Sequence, residues 1–263
     1  MGKVFTRTPP PSHRGVKTKM TVLERIDLNQ VMVLDIETVS QRKSFEELPK
    51  LLQELWAQKV KHLLREDQMP ADAYPTAGLY AEFGKIVCLS VGVFHQRNGD
   101  MGFRVKSFVE SDERQLLSDF VKLMERQPNS LILCGHNAKS FDFPYICKRS
   151  VINGLPIPPQ LDISSKKPWE TNLLDTMELW RFGDFRGSTS LSLMAAVLEI
   201  PTPKDDISGE NVHQVYYEEN NLERIRIYCE KDVITTAQIL RRLRGEPLID
   251  QHHVSFADDG GKE

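Results

Sequence analysis

Apolar positions fall into short blocks whose spacing changes along the chain. Val31 to Ile36 is a compact run rich in β-branched residues, Ile86 to Phe94 is a longer one, and Phe103 to Val109 alternates with the period of a half-buried strand. Between the first two, Leu48, Leu51, Leu52, Leu55, Val60 and Leu63 recur among charges, which predicts an amphipathic helix within residues 45–66. Asp112 offers a cap for a helix running to Arg126, and Leu131 to Cys134 reads as a buried strand that stops at Gly135. From there the pattern is helical, over residues 140–151, 175–181, 190–199, 209–219 and 222–243. Strands first, then a helix, a strand and several helices predict an α/β fold: one mixed sheet with helices on both faces.

The ends lack such a pattern. Residues 1–19 hold Thr8-Pro9-Pro10-Pro11 and the basic Lys3, Arg7, Arg14, Lys17 and Lys19 without an acid, and read as a disordered basic segment. Residues 245–263 include Asp258-Asp259-Gly260-Gly261 near their end and read as a disordered acidic tail. One domain over residues 20–244 is left. Its 40% apolar and 27% charged residues, taken over all 263, are ordinary for a soluble globular protein. The net charge of −3 places the acidity in the body of the chain, which argues for local, weak contact with any polyanion rather than broad nonspecific binding. No apolar stretch approaches a membrane span, and Cys88, Cys134, Cys147 and Cys229 form no Cys-x-x-Cys pair. The expectation is a cytoplasmic protein with reduced core thiols and no membrane partner.

Three segments carry the candidate chemistry. Asp35-Ile36-Glu37-Thr38 ends the first strand, and a spacing of two on a strand sends both carboxylates to one side, where they can share a cation or sit solvated at a strand end. Gly135-His136-Asn137-Ala138-Lys139-Ser140-Phe141-Asp142 follows a buried strand and opens a helix. That setting can return Asp142 to the sheet edge, offer the Asn137 amide and present the Phe141 ring, or it can be an Asn turn followed by an Asp helix cap. Tyr228 and Asp232 stand four apart on one helix face, an arrangement that chance alone supplies in about one chain in three.

Taken together and in this order, the segments resemble the three motifs of the DEDDy branch of ribonuclease-H-like 3′-5′ exonucleases. Gly135-His136-Asn137, Phe141-Asp142-Phe143-Pro144-Tyr145-Ile146 and Tyr228-Cys229-Glu230-Lys231-Asp232 look like the second and third motifs of the proofreading domain of family-B DNA polymerases. The likeness is greatest to stand-alone bacterial proteins predicted to be exonucleases related to that domain. It covers about residues 30–243, with Asp175 to Trp180 and Pro203 to Ile207 included and no polymerase domain attached.

The resemblance implies a fold, a site and a reaction. The fold is ribonuclease-H-like. Asp35, Glu37, Asp142 and Asp232 would hold two divalent cations, Mg²⁺ or Mn²⁺, with Asp35 bridging them, Glu37 and Asp232 completing the first and Asp142 holding the second largely through water. Oxygen ligands without Cys or His suit such hard cations rather than structural zinc. Tyr228, with an ordinary pKa near 10, would orient the attacking water rather than act as a free base. The substrate would be nucleic acid with a free 3′ end, single-stranded DNA favoured over RNA, cut to nucleoside 5′-monophosphates. Its terminal nucleotide would be held by backbone near Ile36 and Thr38, by Asn137 and by Phe141. An exoribonuclease of the same mechanism and a catalytically silent nucleic-acid-binding module are the alternatives. Asp175 reads as a helix cap or a supporting acid, His136 as a turn histidine satisfied by backbone, and residues 45–85 as a lid or strand-contacting insertion.

Overall fold

The computed structural model describes residues 23–257, apart from residues 98, 168–169, 185 and 203–206. The expected basic segment 1–19, the end of the acidic tail and the Pro203-Lys204-Asp205-Asp206 stretch lie outside the described residues.

Strand β1 (Val31–Ser40) is central and mostly buried. It pairs antiparallel with β2 (Gly84–Arg97), which pairs antiparallel with β3 (Asp100–Val109). On its other edge β1 pairs parallel with β4 (Ile132–Gly135), and β4 with β5 (Leu173–Asp175). With β6 (Val254–Phe256) parallel to β3, the sheet order is β5-β4-β1-β2-β3-β6, the mixed ribonuclease-H-like arrangement.

The pleat of β1 divides the core. Met32, Leu34 and Ile36 pack with Leu89 and Val91 against α2 (Glu113–Glu125) and α3 (Asp142–Ile152), through Leu116, Phe120 and Ile146. Val31 and Val33 point the other way, onto Val233, Ala237 and Leu240 of α7 (Leu222–Leu243). Helices therefore cover both faces. Glycine is required where α7 comes close: a Cβ on Gly92 would stand 2.2 Å from the Phe103 ring and 3.0 Å from Val233 Cγ1. The short helices α4 (Thr176–Arg181), α5 (Leu191–Val197) and α6 (Val212–Tyr217) fill in around α7. No helix among the described residues is long and apolar enough to cross a membrane.

Three expectations are corrected. The helix expected over residues 45–66 is a 3-10 turn at Phe45–Glu47 and then α1 (Lys50–Val60), because Pro49 forces Leu48 into extended backbone and starts the helix afresh. The rest of the insertion folds onto its own small core, with Trp56, Tyr74 and Phe83 in edge contact and Trp56 Nε1 donating to the Pro70 carbonyl at 2.8 Å. Strand β5 has only three residues, too few to show a period. Part of the expected disordered tail is also ordered. The Gln238 side chain makes two 2.8 Å bonds to the Ile249 backbone, and Val254 to Phe256 adds the edge strand β6. The partner of β6 is the distant strand β3, a tie that leaves no local pattern.

Candidate functional site

Asp35 and Glu37 lie on the face of β1 that also carries Val31 and Val33, beneath α7. Across the ladder Asp35 opposes Ser90 and Glu37 opposes Cys88, and the register shifts immediately afterwards. The shift leaves Val87 and Cys88, consecutive residues, packed into the same cluster with Ile225 and Cys229 of α7. Such a bulge re-aims the side chains beside it. Here it turns the end of β1 where the second carboxylate stands.

Helix α7 is placed by burial at a spacing of four. Ile225, Cys229 and Val233 are each fully buried against the sheet, and Tyr228 and Asp232, one position earlier in each turn, flank that buried row half-exposed. The Asn221 side chain caps its start by accepting from Arg224 N at 3.0 Å. The Cys229 thiol donates toward Asp35, 3.4 Å from Oδ2 and 3.5 Å from the backbone oxygen. Tyr228 packs on the cluster around Val39 and Val87. A chain of polar contacts also ties α7 to the sheet, from Ser90 to Ser107 at 2.8 Å, from Ser107 to Glu230 at 2.7 Å and from Arg226 to Glu230 at 2.5 Å.

The third contribution comes from the turn after β4. Gly135 permits close contact, since a Cβ there would meet the Ala138 Cβ at 2.4 Å. Asn137 takes left-handed backbone at φ 59, and its carbonyl accepts from Ser140 and Phe141. Asp142 is the first residue of α3, buried, and its Oδ1 accepts the Ile36 N–H at 3.0 Å.

Three elements thus bring Asp35, Glu37, Asp142 and Asp232 into one electrostatic neighbourhood. Burial pushes Asp35 well above the ordinary carboxylate range, and the charges of Asp142 and Asp232 push it further. Burial, then Asp35 and Asp232, do the same to Glu37. Asp142 is pushed up to about 7, first by burial, against the Ile36 N–H that favours its charged form. Glu37 is 8% exposed, and its carboxylate has no hydrogen bond among the described residues. A buried acid so placed keeps its proton or pairs with a cation, and this cluster of oxygens fits divalent ions.

The remaining expected residues divide. Ile36 has its side chain in the core and its N–H on Asp142, so that N–H is not open to a ligand. Thr38 Oγ1 donates to the Gly78 carbonyl at 2.8 Å, holding the insertion to β1. Asn137 is half-buried, with its backbone N–H on Asp175. Phe141 leans on Tyr145 with ring centroids 5.3 Å apart and lines a cavity of about 120 Å³ shared with Lys59, Tyr80 and Lys148. His136 is satisfied through both ring nitrogens, by Thr176 Oγ1 and the Thr189 carbonyl at 2.9 Å each.

Asp175 does more than cap α4. Its carboxylate accepts from Met177 N at 2.9 Å and also from Asn137 N at 2.9 Å and Lys139 N at 3.1 Å, so it clamps the turn that delivers Asp142. The sequence offered a cap or a supporting acid at Asp175, and the structure shows one carboxylate serving both the helix start and the turn. Cys88 and Cys229 were read simply as core thiols; their nearness to the carboxylates follows from a register that sequence does not display.

A family model described as a predicted 3′-5′ exonuclease related to the exonuclease domain of PolB matches residues 79–246. That span holds Asp142, Tyr228 and Asp232, whereas Asp35 and Glu37 precede it. A DNA polymerase of Pyrococcus glycovorans is 25% identical over 169 residues, covering 54% of this chain and 21% of the polymerase. A DNA polymerase of Archaeoglobus fulgidus is 28% identical over 141 residues, covering 50% of this chain and 18% of that protein. The chain therefore spans about a fifth of the length of these relatives. Its match over more than half its length, on a sheet that gathers four acids from β1, α3 and α7, makes it a member of the family of predicted 3′-5′ exonucleases related to the PolB exonuclease domain.

Proposed function

We propose that the protein is a metal-dependent 3′-5′ exonuclease that removes nucleoside 5′-monophosphates from the free 3′ end of single-stranded DNA. The observation that carries this reading is the convergence of four carboxylates from β1, α3 and α7, with burial and mutual repulsion pushing Asp35, Glu37 and Asp142 above the ordinary carboxylate range. Asp35, Glu37, Asp142 and Asp232 would hold two divalent cations, Mg²⁺ or Mn²⁺. When bound, such a pair activates a water nucleophile and stabilises the attacking and leaving oxygens of an in-line displacement.

The chain's own groups do the rest. Asp142 keeps the open edge of β1 fixed through the Ile36 N–H, so the acids from β1 and α3 hold a constant separation. Tyr228, on the helix that carries Asp232, orients the attacking water through its hydroxyl. Phe141, half-buried at the rim of its cavity, packs on the terminal base.

The test is a panel of 3′-labelled and 3′-blocked substrates, DNA and RNA, single- and double-stranded, with Mg²⁺, Mn²⁺ or chelator. Degradation from free 3′ ends of single-stranded DNA, lost with chelator and in Asp35→Ala or Asp232→Ala, is expected. Full activity in either folded variant would sink the reading, and faster loss of RNA would reassign the substrate.

A further inference from the structure

We propose that Asp35, Glu37 and Cys229 form a binding site for a thiophilic divalent cation, Zn²⁺ above all, that competes with the hard cations for the same carboxylates. The inference rests on the reading of those acids as metal ligands and adds a ligand that the reading does not use. One ligand atom of each of the three residues lies within 4.8 Å of the other two. Two of these side chains are buried, and Glu37 has no hydrogen-bond partner among the described residues.

The spacing suits sulfur and oxygen on one ion. With Zn–S near 2.3 Å and Zn–O near 2.0 Å, two ligand atoms on a tetrahedral zinc stand about 3.5 Å apart. Cys229 Sγ and Asp35 Oδ2 are 3.4 Å apart. Mg²⁺ has little use for sulfur and demands octahedral oxygen, so the thiol is a spectator to it. Zn²⁺ gains a thiolate: the Zn–S bond forms as the S–H bond breaks, the proton leaves to solvent, and no electron changes hands. Cys229 is fixed for this by its place on α7, between Ile225 and Val233 in the row that packs on the sheet. An ion held so would occupy the carboxylates in the wrong geometry and silence the site.

Cadmium reports the sulfur directly, through the ultraviolet thiolate-to-metal charge-transfer band, and calorimetry reports zinc affinity. The full-length protein is expected to show the band on binding Cd²⁺, to lose it in Cys229→Ser and to keep it in Cys88→Ser. Zn²⁺ affinity should fall by at least about tenfold in Cys229→Ser, a loss on the scale of perturbed metal sites. Asp35→Asn, which keeps every thiol, should weaken Zn²⁺ as well, which separates this site from chance binding at a cysteine. Should Cys229→Ser fail to fold, Cys229→Ala replaces it. No band in the wild-type protein, or a band that survives removal of Cys229, overturns the inference. Failure of wild-type protein to degrade any strand in Mg²⁺ would instead sink the exonuclease reading; a preparation that degrades DNA but gives no band sinks only this one.

Discussion

Asp142 Oδ1 accepts the Ile36 N–H at 3.0 Å, joining the first residue of α3 to the open edge of β1 between the two acids Asp35 and Glu37. The same carboxylate is thus a structural acceptor and a candidate ligand, and two substitutions separate those roles. Asp142→Asn keeps an acceptor for the buried N–H and removes a charge from a crowded group of acids, so its metal-free melting temperature should match or exceed that of the wild type. Asp142→Ala strands the N–H, at a cost of about 1–3 kcal/mol in urea unfolding. Both should lose strand degradation. An active Asp142→Asn protein would remove Asp142 from the ligand set.

Asp175 clamps the turn before Asp142 through Asn137 N and Lys139 N while capping α4 through Met177 N. Asp175→Ala should cost about 2 kcal/mol, the combined scale of a lost cap and a stranded loop N–H. Activity should fall in the same variant even where it is fully folded, through a looser Asp142. Asp175→Asn retains one acceptor oxygen and should recover part of both. Loss of stability with activity per folded molecule unchanged would confine Asp175 to the cap.

These two relationships mark how far the sequence could be read. Asp35 and Glu37 were legible because a strand of period two fixes where residues two apart point, and Tyr228 and Asp232 because a helix does the same for residues four apart. The clamp by Asp175 was not, since its partners stand 38 and 36 residues away and their meeting depends on β4 lying beside β5. The bond between Ser107 and Glu230 spans 123 residues, and that between Cys229 and Asp35 spans 194. Strand β6 is hidden for the same reason: what orders Val254 to Phe256 is the far edge of β3. Local pattern named most of the elements, and the resemblance carried by the three segments together singled out the acids. Pairing between distant elements decided what holds the acids in place.

The raised carboxylates give the metal-free protein a definite pH response. An unfolded Asp ionises near 3.9, whereas Asp142 in the fold holds its proton up to about 7 and Asp35 and Glu37 are also shifted well upward. Between those limits the folded state binds more protons than the unfolded one, so stability is greatest below about pH 4 as far as these groups are concerned and falls as pH rises toward about 7 and beyond. Divalent cations offset the repulsion of the ionised acids. The rise in melting temperature on adding Mg²⁺ or Mn²⁺ over chelator should therefore be larger at about pH 8 than at about pH 5. Equal rises at both would mean that the acids do not share the ion.

Away from the site, Arg149 and Glu113 form a buried ion pair whose removal should be felt throughout the α2/α3 face. Both side chains are 7% exposed. Arg149 Nε donates to Glu113 Oε1 at 2.9 Å and Nη1 to the Ala81 carbonyl at 2.9 Å, while Glu113 Oε1 also accepts the Ile86 N–H at 2.7 Å and Oε2 accepts from Asn153 at 2.9 Å. One cluster therefore fastens α2, α3, the start of β2 and the end of the insertion. Arg149→Met leaves a buried carboxylate without its cation and should cost about 3–5 kcal/mol in urea unfolding. Adding Glu113→Gln removes the charge while preserving an acceptor for Ile86, so the double variant should regain at least half of the loss. If instead the double variant is no more stable than Arg149→Met, the cost comes from lost packing of the guanidinium and its bond to Ala81 rather than from an unpaired charge.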